Sequence, residues 1–499
     1  MPFTLFNNCN LVQLRENRIV ECSILVFNDK IFKLIFNKST NKNLIYHLRH
    51  IFPDLQIIDL KKGYIIPGFT DSHAHLLAHG VELQRIDLSK CHSPDDCFQK
   101  LSAEKNKDIV FGVNWDESLW INGRRENLNR MVLDRIIKDR PVILRRVCGH
   151  FAVCNTYALN SISNKWKIVD RKNGWLYEDA ALYLNQIFRP CFETYKKGLE
   201  MATKEALSLG ITSINEITDI AEFRIYQTLK KNLKIRVALY IQNGLKPAIN
   251  MGLKSNFGDD FLKFAGAKIF LDGSIGALTA AIRNPYQRSR NRGKLLISKK
   301  QLSNILDLAE SNSIQLMIHS IGDRSTDILL EVLEARKFHH NPLRHRLEHL
   351  EMLDTKQIRK IRNFNLVASM QPNFLRWQCA GDLYDKNLGL RYKQMNCFNK
   401  MKKCGVKLTF GSDCMPIGPL YGISLVVNHP LDTVRLTPGE AIELYTEKPP
   451  FATFDERRKG KIKEGNFADF VVLNKNPLIK ENLVDIKILK VILGGKFVY

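Results

Sequence analysis

Between Gly210 and Asp413 of this 499-residue chain, short apolar runs alternate with segments of helical spacing, and that alternation restricts the fold more than any other feature. The runs cover 210–214, 235–241, 267–271, 315–319, 346–350, 366–370 and 406–410, and an eighth, starting at Tyr64, ends in His73-Ala74-His75. Intervening segments such as 327–334 carry an apolar stripe at helical spacing. Strands alternating with helices favour a parallel sheet, and eight such units close most simply into an α/β (β/α)8 barrel. The rhythm breaks once. From His75 to Gly210 the chain is far longer than the roughly 30 residues of one βαβ step, so a subdomain is expected to be inserted there, near the barrel mouth. That segment has strand candidates of its own at 109–113 and 141–145.

The two ends share a texture. Ile19 to Leu34 reads as strand, turn, strand, and 468–473 and 491–498 read as further strands, so both termini are expected to build one small β-sandwich. Before the last of these, Thr437-Pro438-Gly439-Glu440 has the cap, the first-position proline and the third-position glutamate of a helix start. The expected domains are 1–62 with 437–499 as the composite β-domain, 63–82 with 201–436 as the barrel, and 83–200 as the insertion.

Composition sets outer bounds. At 44% hydrophobic and 25% charged residues the chain is of ordinary globular type, with no apolar stretch near the eighteen residues that cross a bilayer and no basic, then apolar, leader at its start. A cytoplasmic protein without a membrane partner is expected. The 11 cysteines are scattered without a CxxC pair, which suits reduced thiols; Cys148 and Cys154 read as packing residues. A formal charge of +24 would suit a nucleic-acid binder, but the excess is spread along the chain and no recognition motif accompanies it. The densest clusters, Arg283 to Lys294 and Arg457 to Lys463, read as solvated surface; the first follows the fourth strand and so faces the side where barrels do chemistry.

The ligand-type residues fall where such a barrel would use them. Side chains two apart on a strand share a face, so His73 and His75 can offer both imidazoles to one ion. His319 closes the fifth strand, His349 the sixth and Asp413 the eighth, all at C-terminal ends, while Lys268 lies on the fourth.

Here a resemblance becomes specific. Pro67-Gly68-Phe69-Thr70-Asp71-Ser72-His73-Ala74-His75 resembles the signature of the amidohydrolase superfamily. Asn114-Trp115-Asp116, 149–155, 268–274, 319–324, Arg346-Leu347-Glu348-His349, Gln371-Pro372, Gly411-Ser412-Asp413 and 460–469 resemble, in order, its YtcJ-like branch, amidohydrolase family 3. The resemblance implies a metal-dependent hydrolase of carbon–nitrogen bonds other than peptides. It implies that His73, His75 and Asp413 bind one divalent ion, usually zinc, and that His319 and His349 bind a second. Lys268 matches a lysine carbamylated to bridge the two; an ordinary lysine beside a single ion is the alternative. Asp413 would also shuttle the proton for a metal-activated hydroxide. His150, Trp115 and Arg346 are carried over as substrate contacts, and Asp272 and Asp323 as supports of the metal loops. The expected partner is a small-molecule substrate, with no specific nucleic acid and a homo-oligomer left open. An enzyme acting on an ester, lactone or ring on the same scaffold is the runner-up, and a non-catalytic binder of this fold the third reading.

Overall fold

The computed structural model describes the chain except for residues 1–2, 37–41, 104–107, 121–126, 148–150, 164–168, 178–179, 182–183 and 185–186. The chain forms two compact units, Met1–Leu76 with Ala202–Tyr499, and Leu77–Met201.

All eight expected barrel strands are present in the first unit: β1 (Phe69–Ala74), β2 (Ile211–Thr218), β3 (Arg236–Gln242), β4 (Leu262–Phe270), β5 (Gln315–Ser320), β6 (Arg346–His349), β7 (Val367–Met370) and β8 (Lys407–Phe410). Each pairs in parallel with the next in chain order. They are buried along nearly their whole length, as a sheet covered on one face by helices and filled on the other requires. The seam between β8 and β1 is closed by the turn after β8. The Asp413 amide donates to the His73 carbonyl at 2.7 Å, and the Asp71 carboxylate accepts from the Ser412 amide at 2.9 Å. Covering helices start where their caps dictate. Ser298 with Gln301 and Asp354 with Gln357 form capping boxes for Lys299–Ser311 and Thr355–Asn363, and Thr437 with Glu440 forms the one read from the sequence.

The terminal segments form one eight-stranded sheet. Its path runs Lys496–Phe497, Ile488–Leu493, Phe470–Leu473, Tyr64–Pro67, Phe3–Gln13, Arg18–Phe27, Lys30–Ile35, with Gln56–Asp59 beside Phe3–Gln13. The sheet bends back on itself, since the Ala468 amide reaches the Asp29 carbonyl at 2.8 Å, and Phe6, Ile24, Ile65, Phe470 and Ile492 share one apolar core. Two readings change here. Phe3–Gln13, not read as a strand, is its longest member. The run from Tyr64 to His75, read as one strand, is two: Tyr64–Pro67 belongs to the terminal sheet and Phe69–Ala74 to the barrel. Gly68 is the switch point, where a Cβ would lie 2.2 Å from Thr212 Oγ1. Only glycine lets the chain pass from one sheet to the other so close to β2.

The second unit holds a six-stranded sheet ordered Val169–Asp170, Trp175–Tyr177, Phe151–Cys154, Val142–Arg146, Val110–Trp115, Ile86–Asp87. Alternate residues feed two apolar clusters: Val110, Trp115, Val142, Leu144 and Val153 on one face, Phe111, Val113, Ile143, Ala152 and Cys154 on the other. Among the described residues of the whole chain, no helix is long and apolar enough to cross a membrane.

Candidate metal centre

The C-terminal ends of β1, β5, β6 and β8 bring the predicted ligands together. His73, His349 and Asp413 present donor atoms within 4.8 Å of one another. The His75 Nε2 lies 3.3 Å from Asp413 Oδ1, and the His319 ring packs against His349 with centroids 4.5 Å apart. His349 thus stands between His73, at 4.8 Å between centroids, and His319. The geometric grouping sets His349 beside Asp413, whereas the resemblance pairs His349 with His319 alone.

Hydrogen bonds decide which ring nitrogen each histidine offers. His73 donates from Nδ1 to Glu348 Oε2 at 2.5 Å, which leaves the Nε2 lone pair for an ion. His319 donates from Nε2 to the Gly273 carbonyl at 3.0 Å, leaving Nδ1. The His349 Nδ1 is buried without a partner, and its ring lies parallel to Phe374 at 6.1 Å. Burial, reinforced by the Lys268 charge, lowers His319 to about 3, and burial with the Lys268 charge and the neighbouring histidines holds His73 and His349 well below their ordinary range. The rings are therefore neutral, which is the form that binds a metal.

Lys268 is 1% exposed and its Nζ has no hydrogen-bond partner. Burial pushes its pKa down, against the pull of Glu348 and Asp413; burial pushes Asp413 up, against Lys268. An idle amine, an orphaned imidazole nitrogen and a carboxylate among neutral histidines form a donor set that fits one or two divalent ions. The backbone is bent to make it: His349, Leu350, Asp413 and Cys414 all have φ between 51° and 73°. Such left-handed pairs at strand ends cost free energy and persist because the surroundings impose them.

The support under the centre was not read from the sequence. Glu348 and Arg346 are both 0% exposed, and Arg346 grips Glu348 from Nε at 2.6 Å and Nη2 at 3.2 Å while Nη2 also reaches the Ser72 carbonyl and Ser369 Oγ. Arg346, carried over as a substrate contact, is instead buried beneath the candidate ligands, where Nε and Nη2 hold Glu348, the Ser72 carbonyl and Ser369 while Nη1 has no hydrogen-bond partner. The signal lay in Arg346-Leu347-Glu348: charges two apart on a strand expected to be buried must face the same interior and pair there. Asp272 does act as a support. It accepts from the Ala281, Ile321 and Gly322 amides and Ser325 Oγ, tying the loop after β4 to that after β5, and burial still raises it to about 6. Asp323 accepts from the Arg283 amide at 2.8 Å, and Arg283 also bridges to Asp327 and Asp354, so the first arginine of the basic stretch is structural. Trp115 is a core side chain of the second unit, its indole donating to the Leu144 carbonyl at 3.1 Å and stacking on Trp120. His150 lies outside the described residues.

Comparison with known proteins agrees with this geometry. Residues 56–499 match the model of the amidohydrolase family. A Bacillus subtilis (strain 168) protein named as an amidohydrolase, YtcJ, is 26% identical over 493 residues, covering 90% of this chain and 91% of its own. The N-substituted formamide deformylase of Arthrobacter pascens is 22% identical over 476 residues, covering 85% and 86%. Among solved structures, a metal-dependent hydrolase from Pyrococcus furiosus superposes with a TM-score of 0.83 at 25% identity, covering 96% of this chain and 100% of that one.

Proposed function

Given that the chain belongs to the amidohydrolase family and is a hydrolase of that family's barrel type, we propose that it cleaves a carbon–nitrogen bond of a non-peptide amide, with Asp413 moving the proton. The observation that carries the reading is the set of donor atoms from His73, His349 and Asp413 within 4.8 Å of one another at the strand ends. An ion held there would supply Lewis acidity to a carbonyl oxygen and bring the pKa of water to about 7. Zinc suits neutral imidazoles and a carboxylate, and His73, His75, His319, His349 and Asp413 are the residues that would hold it.

The protein's own groups do the rest. Glu348 keeps the His73 ring turned with Nε2 inward. Asp413, whose carboxyl burial makes more basic, accepts a proton from attacking water and returns it to the departing nitrogen. Lys268, with its pKa lowered and its Nζ without a hydrogen bond, is the residue that would add carbon dioxide, an N–C bond forming as a proton leaves, and the resulting carbamate would offer one negative charge shared over two oxygens as further metal-ligating groups. A small amide substrate is supported by the likeness to a formamide deformylase.

Metal analysis of the purified protein, joined to a screen of N-formyl, N-acyl and cyclic amides, tests the reading. Bound divalent metal with turnover of at least one amide is expected; no metal and no turnover across the set would remove it.

A further inference from the structure

Two buried carboxamides in the described structure have no hydrogen bond at either side-chain atom, Asn215 and Gln371. Their counterparts are committed. Gln315 donates to three carbonyls and accepts from Tyr240, Gln378 donates to the Met395 carbonyl and accepts from Asn396, and Asn373 donates to the Pro416 carbonyl and accepts from Tyr445. A buried amide left idle costs free energy that a fold normally avoids, so it calls for a partner.

Strand parity places the two differently. Ile217 faces the barrel interior with Ala238 and Tyr240, so Asn215, two residues earlier on β2, sits one pleat deeper. On β7, Ser369 faces inward, because its Oγ accepts from Arg346 directly beneath His73. Gln371 follows two residues on, with φ −114° and ψ 93°, so the extended backbone carries the same parity one pleat higher, to the level of the ligands. Its neighbours at that level are the end of β6, with His349, and the turn after β8, whose Gly411 amide donates to the Met370 carbonyl at 3.0 Å. The chain immediately beyond is fixed: Phe374 lies against the His349 ring and Asn373 is pinned to the loop after β8. Gln371, 1% exposed, is thus a polar group on a rigid element, facing the reaction centre.

We infer that Gln371 is the specificity-determining residue that reads the scissile amide, its Oε1 accepting the substrate N–H and its Nε2 donating to the acyl side. This rests on the reading of the centre as a metal-dependent amidase. A carboxamide offers one acceptor and two donors, which matches an amide and leaves the acceptor unmet against an ester. A site built to bond an N–H discriminates strongly against an analogue lacking it, because the buried acceptor is then stranded.

The test uses the metal-loaded protein and stable tetrahedral analogues: an N-alkyl phosphonamidate and the phosphonate ester that differs from it only by oxygen in place of N–H, titrated calorimetrically. Wild type should bind the N–H member at least about tenfold more tightly, and Gln371→Met should erase that preference while still binding both. Gln371→Asn, which keeps the carboxamide but withdraws it by one methylene, should give the same loss if the methionine variant does not fold. Equal binding of both analogues by wild type, or a preference that survives both substitutions, would overturn the role of Gln371 alone. Binding of neither analogue by metal-loaded wild type would overturn the amidase reading and this role with it.

Discussion

Replacing Glu348 by glutamine removes one charge and almost no volume, and its consequences follow from two distances. Arg346 and Glu348 are wholly buried and paired at 2.6 Å, so the substitution strands a guanidinium in the barrel core. Breaking a buried pair from one side costs about 3–5 kcal/mol, a large share of a typical folding free energy. The second distance is the 2.5 Å contact of Glu348 Oε2 with His73 Nδ1. Glutamine would keep its oxygen on Arg346 and turn its NH2 toward His73, forcing Nδ1 to accept. The ring proton then moves to Nε2, the nitrogen proposed to bind metal. Loss of such a support lowers metal affinity by roughly 10–100-fold. Urea denaturation of metal-stripped protein reads the first effect, and zinc titration against a competing chelator reads the second. Adding Arg346→Met removes the stranded charge, so the double variant should be more stable than Glu348→Gln alone yet bind metal no better. A Glu348→Gln variant within about 1 kcal/mol of wild type, with unchanged zinc affinity, would refute both arguments.

Lys268→Met should stabilise the metal-free protein by about 1–3 kcal/mol, because a buried amine without a hydrogen bond becomes an apolar chain, while lowering the metal content of the loaded protein; thermal melts and elemental analysis read the two signs. Gly68→Ala should cost about 1–3 kcal/mol, since the new Cβ would lie 2.2 Å from Thr212 Oγ1 and 2.9 Å from Thr212 Cβ, and a denaturation midpoint measures it. Asp455 is buried against Lys263 at 2.7 Å and Lys459 at 3.5 Å; burial would raise its pKa, but these cations and their hydrogen bonds outweigh that and hold it well below the usual carboxylate range. Its folded pKa is depressed, so its stabilisation is present above about pH 4 and fades as pH falls through the folded value. Asp455→Asn should therefore be less stable than wild type at neutral pH, with the two melting curves converging in acid; a gap independent of pH would contradict this.

The barrel was legible because most of its strands are short, largely apolar runs buried on both faces, a pattern carried by local sequence alone. The candidate metal residues His73, His75, His319, His349 and Asp413 were legible because they stand at or just beyond the ends of those runs, while Lys268 lies inside one. What local pattern does not carry is pairing at a distance. Tyr64–Pro67 and Phe69–Ala74 read as one strand until Phe470–Leu473 is seen to claim the first half, and Gly68 gives no local hint that Thr212 presses on it. Phe3–Gln13 mixes asparagines with apolar residues, and a bulge between Phe6 and Cys9 spoils its alternation. Arg346 reads as a residue for substrate until the barrel closes over it and Glu348 becomes its partner. The idle carboxamide of Gln371 is likewise visible only once every neighbouring polar group has been accounted for.

The claim on which all of this turns is that His73, His349 and Asp413 hold a divalent ion. Elemental analysis of wild type and His349→Ala, purified side by side without chelator, tests it most directly. At least one divalent ion per wild-type chain, with a marked loss in the variant, is the predicted result. The same metal content in both proteins, or none in either, would contradict it.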